Sequence, residues 1–242
     1  METHSKLATR NILLAALATL ALSFIPYAGF VTYPLRLLVT FIHEGSHALA
    51  TFLTGGMVLG LGVSSDGSGL TLSRGGIGFI ISSAGYLGAT LYGAILLQLL
   101  RKGADPRKLL LVTGIAVAIM GLLCVGGMLH VLQGSVFGLV WAAILAPALV
   151  LGAMKLSREA AGFIAGLIGV QCVLNALFDL RTLFMLSATS GTHTDAMNMQ
   201  RYTLIPAIVW ATLWIVMALG ILWTVLIRPS LKEAKKAPVL AR

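Results

Sequence analysis

The sequence predicts an all-α polytopic membrane protein, a bundle of about six or seven transmembrane helices. Three observations predict it. Of 242 residues, 58% are hydrophobic and only 10% are charged, whereas a soluble domain carries about 25% charged residues. The apolar residues fall in blocks close to the ~20-residue length of a membrane span. The basic residues, which give a net charge of +9, gather in "RKGADPRK" (101–108), "KLSR" (155–158) and "RPSLKEAKK" (228–236), as cytoplasmic connectors do in membrane proteins.

Seven apolar segments follow one another at about 11–31, 34–54, 77–100, 109–128, 135–153, 160–186 and 204–227. The first follows a basic start, is long, and is not followed by a clear small-x-small cleavage site, so it reads as a retained helix and not as a signal peptide. The second opens on Pro34, suited to a first helical turn, and stops at Gly55 and Gly56. The sixth carries "GFIAG" (162–166), a small-xxx-small face for close helix packing in lipid. Between the second and third segments, "GGMVLGLGVSSDGSGLTLSRGG" (55–76) holds two short apolar runs around a Ser/Asp/Gly cluster. It reads as a β-hairpin with its turn near 65–69, or as a flexible glycine-rich loop. The stretch "SGTHTDAMNMQR" (190–201) reads as a polar loop. Residues 1–228 form one domain, and 229–242 a basic tail expected to be disordered.

Charge placement puts the connectors 101–108 and 155–158 and the tail on the inner side. Lys6 and Arg10 join them there only if one of the first three segments fails to cross fully. The excess of positive charge does not imply nucleic acid, because no basic patch is interleaved with aromatics; the expected partner is the lipid bilayer. Cys124 and Cys172 both lie in apolar blocks, which argues against a disulfide framework, and two cysteines give no zinc-ribbon pattern.

The second segment carries "LLVTFIHEGSHALATFLT" (37–54), with His43, Glu44 and His47 spelling H-E-x-x-H. Arg36, Thr40, His43, His47, Thr51 and Thr54 recur at intervals of three or four, so on a helix they share one face. Ionisable groups inside a membrane cost on the order of 3 kcal/mol each when unpaired, so this face points into the bundle. His43 and His47, one turn apart, can reach one metal ion. Imidazole suits Zn²⁺, with one position left for a water whose pKa falls to about 7. Glu44 can take the proton as that water attacks a carbonyl, then pass it to the leaving amine. The alternative is a hydrogen-bonded His–Glu cluster that holds helices together.

A third ligand is sought among eight acidic residues. Glu2 and Glu233 are terminal, Asp66 lies in the hairpin turn, and Asp105 and Glu159 lie in basic connectors, leaving Asp179 and Asp195. Gln171, Asn175 and Asp179 form a polar stripe at i, i+4 and i+8 of the sixth segment, which favours Asp179 as the ligand; otherwise it pairs with Arg181. Asp195, with His193, is the alternative source of a ligand or a gate. His130 reads as structural or as a partner behind a ligand.

The "FIHEGSHALA" motif resembles that of the site-2 protease family of intramembrane zinc metallopeptidases, and the chain is similar to its divergent bacterial, peptidase-B-like branch. The resemblance implies that His43 and His47 hold zinc, that Glu44 is the base, and that an aspartate on a later helix completes the site. "NALFDL" (175–180) looks like a shortened form of the family's second motif, with Leu180 in place of a glycine after the aspartate. By the same resemblance, Asn175 hydrogen-bonds substrate backbone or the developing oxyanion. The implied activity is hydrolysis of membrane-anchored protein substrates within or beside the bilayer. The implied location is the bacterial inner membrane. Rival readings are a metal or proton transporter and an inactive membrane scaffold.

Overall fold

The computed structural model describes residues 29–189 and 194–224, together with Arg10, Ile12, Leu14, Ala15, 17–19 and Arg228. The side chains of 175–177, 179–182 and 186–189 lie outside the described set, as does the whole tail 229–242. The elements are α1 (Gly29–Leu53), β1 (Met57–Val63), β2 (Gly69–Arg74), α2 (Gly78–Arg101), α3 (Pro106–Leu129), α4 (Ser135–Lys155), α5 (Arg158–Thr189), α6 (Asp195–Thr203) and α7 (Ala207–Leu222).

The class is the expected one, an all-α membrane bundle with one small sheet. The number of spans is lower than the sequence suggested. Among the described residues, α2, α3 and α4 are long and apolar enough to cross a membrane alone, and α6 with α7 make a fourth only as a pair bent by 117°. Arg36, His43, Glu44 and His47 dilute the hydropathy of α1. The rest of the difference falls in the first segment and in α5, both of which include residues outside the described set.

The glycines set how closely the elements approach. On α2, a Cβ at Gly85 would overlap the His43 and His47 rings, and one at Gly88 would overlap Ser46. Bare backbone at these two positions, one turn apart, lets α2 lie directly against the motif face of α1. From the other side, Met120 of α3 fills the space over Gly45. Leu37, Phe41, Leu61, Val63, Val117 and Cys124 are fully buried in the core between α1, the hairpin and α3.

Residues 55–76 form the hairpin, not a loop. Gly55, at φ +78°, ends α1 with its N–H on the Phe52 carbonyl. The strands pair antiparallel, with Leu61 opposite Thr71 and Val63 opposite Gly69. The Ser64 N–H closes the turn on the Ser68 carbonyl at 2.8 Å. Within the turn, Asp66 Oδ1 accepts from the Ser68 N–H and hydroxyl at 2.8 and 2.7 Å, which holds its carboxyl below the usual carboxylate range. That stabilisation is present above the ordinary aspartate pKa and is lost as pH falls through the depressed value.

β1 is the inner strand. A Cβ at Gly60 would overlap the Gly127 backbone, and one at Gly62 the Gln133 carbonyl, so β1 sits flush on the C-terminal end of α3. The Val63 N–H bonds the Gly134 carbonyl at 3.2 Å. The turn is tied to α1 by Tyr33 Oη on the Ser65 carbonyl (2.6 Å), Arg36 on the Asp66 carbonyl (2.8 Å) and Thr40 on the Gly67 carbonyl (2.8 Å). The polar stripe read from the sequence is therefore spent, at its N-terminal end, on fixing the hairpin.

At the far end of the bundle the two basic connectors meet. Asp105 caps α3 by accepting from the Arg107 N–H, and Arg107 Nε donates to the Leu156 carbonyl at 2.9 Å. Arg158 donates to the Gly103 carbonyl at 3.3 Å.

The stretch 190–201 is not a loop throughout, because α6 begins at Asp195. Thr194 caps it, accepting from the Met197 N–H. Ala196 and Met199, at i and i+3, are fully buried. Two apolar positions were too few to show as a helix amid polar neighbours. Leu204 leaves the helix in the left-handed region at φ +60°, and Pro206 caps α7, so the seventh segment starts later than its composition indicates.

Candidate metal centre

His43, Glu44 and His47 all project from the middle of α1, and their ligand atoms lie within 4.8 Å of one another. Glu44 and His47 are buried, at 4% and 6% exposure. The Nε2 atoms of the two histidines are 3.1 Å apart. Asp195 Oδ2, at the first position of α6, lies 3.4 Å from His43 Nε2 and 3.2 Å from His47 Nε2. Thus α6, folded back against α2, delivers the one carboxylate that the described residues place on both rings.

The ring orientations are fixed from behind. His47 Nδ1 lies 2.6 Å from the Ile81 carbonyl of α2. A carbonyl can only accept, so Nδ1 carries the hydrogen, and Nε2 is the ring nitrogen left to face Asp195 and His43. The Tyr86 ring stands edge-on to His43, with centroids 4.6 Å apart, and is backed by Trp214 of α7 at 5.8 Å.

These donors fit a tetrahedral cation. Ligands about 2.0–2.2 Å from such an ion lie about 3.3–3.5 Å from one another. The three donor atoms stand at 3.1, 3.2 and 3.4 Å, a triangle of nearly that size. Gly85 adds a second sign of fit, since its missing Cβ leaves open the space beside both Nε2 atoms. Gly85→Ala is therefore expected to push the two rings apart and to lower the metal content of the purified protein without loss of helix content, as measured by elemental analysis and circular dichroism.

Glu44 sits beside the triangle, its ligand oxygen within 4.8 Å of the histidine nitrogens. Its Oε2 accepts from the Thr71 hydroxyl of β2 at 2.7 Å, and its side chain lies against the bare Cα of Gly69. It is thus beside the donor set and hydrogen-bonded to the hairpin.

Residues 12–225 match the peptidase M50B-like family. The chain belongs to this family. The resemblance to site-2 proteases carried by "FIHEGSHALA" agrees with that membership, which makes this M50B-like chain a member of a membrane peptidase family. No curated protein and no solved structure matches it.

The M50B-like site differs in emphasis from the sequence reading. His43, Glu44 and His47 come together as their spacing requires. Asp179 and Asn175 lie on α5, and their side chains fall outside the described residues, as does His193. Asp195, the alternative acid, is the one seen against the histidines. His130 caps α3, with Nδ1 2.9 Å from the Gly126 carbonyl, away from the donor triangle. Sequence reasoning did not find Gly85, Tyr86 or Thr71. Nothing distinguishes Gly85 among 27 glycines, and Thr71 acquires meaning only through strand register.

Proposed function

We propose that this chain is an intramembrane zinc metalloendopeptidase that hydrolyses peptide bonds of membrane-anchored proteins, with the bacterial inner membrane as its location. The single observation that carries this is the triangle of His43 Nε2, His47 Nε2 and Asp195 Oδ2, with a buried glutamate beside it. His43, His47 and Asp195 would hold the ion. When bound, zinc supplies a Lewis acid that polarises the scissile carbonyl and acidifies the attacking water. Glu44 takes the proton of that water and returns it to the leaving amine, so one carboxylate serves as base and then acid. The Thr71 hydroxyl holds Oε2, and the buried pocket keeps competing water from the carboxylate. Asp179, favoured by the sequence stripe, is the alternative third ligand. Asn175, on α5, is the candidate donor to the oxyanion.

The substrate has to be extended at the cut, because a helical peptide bond is shielded. Strand β2 offers a place for it. Antiparallel pairs alternate between bonded and non-bonded, and the Ser64–Ser68 bond sets the phase. Gly62–Leu70 and Gly60–Leu72 are then the bonded pairs, and the main-chain groups of Gly69 and Thr71 face away from β1. A substrate strand could pair there, a known mode of peptide capture. Val63→Pro removes the N–H that anchors β1 to Gly134. It is expected to slow cleavage several-fold with zinc content unchanged, as would Val58→Pro; unchanged turnover would oppose hairpin docking.

The reading is tested with the purified chain in liposomes and a single-span reporter protein. Cleavage that stops with a zinc chelator and returns with added zinc supports it. Absence of cleavage in the zinc-loaded protein, or cleavage indifferent to chelation, opposes it.

A further inference from the structure

Thr71 is the point at which the hairpin touches the chemistry. Its hydroxyl lies 2.7 Å from Glu44 Oε2 and 3.0 Å from the Glu44 carbonyl. A hydroxyl has one hydrogen to donate. The Glu44 carbonyl, in the middle of α1, already accepts from the helix ladder, and a carboxylate is the stronger acceptor. The hydrogen therefore goes to Oε2. On the same face of β2, two residues earlier, the absence of a Cβ at Gly69 makes room for the carboxylate: a Cβ there would stand 2.5 Å from Oε1 and 2.6 Å from Cγ. Opposite them on β1, Leu61 and Val63 are fully buried, so this face of the strand cannot rotate outward without emptying the core.

We infer that Thr71 is a positioning residue for the general base: its hydroxyl fixes the rotamer of Glu44 so that the carboxylate faces the His43–His47–Asp195 triangle. Left without this donor, a 4%-exposed carboxylate turns toward whatever partner it can find. The same residue presents its main-chain N–H and C=O at the open edge of β2. The strand that would seat an extended substrate is therefore the strand that aims the base, and cut position and base position are fixed by one residue. This assignment rests on the peptidase reading for its chemistry. The hydrogen bond and the packing at Gly69 stand apart from it.

The test compares Thr71→Val, which keeps the shape and loses the hydroxyl, with Thr71→Ser, which keeps the hydroxyl. Each full-length protein is zinc-loaded in liposomes and assayed on the single-span reporter alongside wild type and Glu44→Gln. Thr71→Val is expected to lose roughly 10–100-fold in kcat, the range for groups that orient an active-site residue, with KM and zinc content unchanged. Thr71→Ser is expected to recover most of the loss. Acetohydroxamate binding, followed in the same proteins, supplies a readout without turnover, because its hydroxyl proton needs an acceptor where Glu44 sits. It should weaken in Thr71→Val and recover in Thr71→Ser. Wild-type kcat and wild-type hydroxamate affinity in Thr71→Val would overturn the assignment, as would a Thr71→Ser protein no better than Thr71→Val. Failure of wild type itself to cleave counts against the peptidase reading, and hydroxamate affinity then decides on Thr71 alone.

Discussion

Glu44→Gln is expected to lower peptide-bond hydrolysis by roughly 10²–10⁴-fold, the range for a general acid–base group, while the protein keeps its zinc. The substitution is nearly isosteric at a side chain only 4% exposed. The amide oxygen can still accept from Thr71 Oγ1, which lies 2.7 Å from the carboxylate now, so no buried hydroxyl is left unpaired. What the amide cannot do is take a proton. Single-turnover cleavage of the reporter, with zinc measured on the same sample, checks this. A metal transporter would respond differently, since zinc uptake into liposomes has no step that needs this proton acceptor. Loss of zinc together with activity would instead make Glu44 a ligand.

The second large effect concerns Asp195. Its Oδ2 is 3.4 and 3.2 Å from the two imidazole nitrogens. Asp195→Ala leaves only the two imidazoles, a set too small for a tetrahedral protein site. Zinc affinity should fall by at least about 100-fold, the upper end of what outer-shell partners alone cause, and cleavage should fall with it. Asp179→Ala is expected to keep about one zinc per chain. The opposite pattern, zinc lost with Asp179 and kept without Asp195, would restore the carboxylate that the helical stripe favoured. Titration of both variants with a competing zinc chelator separates the two cases.

Much of this site is legible because α1 carries it locally. A spacing of four residues puts both rings on one face, and intramembrane histidines beside a glutamate demand a reason. The hairpin is legible because Ser, Asp and Gly cluster between two apolar runs, and the Asp66–Ser68 bonds with Gly67 at φ +89° are what that cluster is for. Asp195 is harder. It opens a nine-residue helix whose buried side is only Ala196 and Met199, too short for periodicity to register. Its approach to His47 is set by the 117° bend between α6 and α7, which arises from Leu204 and Pro206 and from packing on α2. Gly85 is invisible for a related reason: its role is the absence of an atom at a contact between two helices. Thr71 depends on register, where a slip of one residue would turn its hydroxyl to the opposite face.

The most direct measurement is the position of the metal in crystals of the full chain, located by anomalous scattering at the zinc edge. One peak is expected about 2.0–2.2 Å from His43 Nε2, His47 Nε2 and Asp195 Oδ2, beside Gly85, with Glu44 outside ligand distance. A zinc-loaded crystal with no peak between the two histidines, or a peak there completed by a different side chain while Asp195 points away, would contradict it.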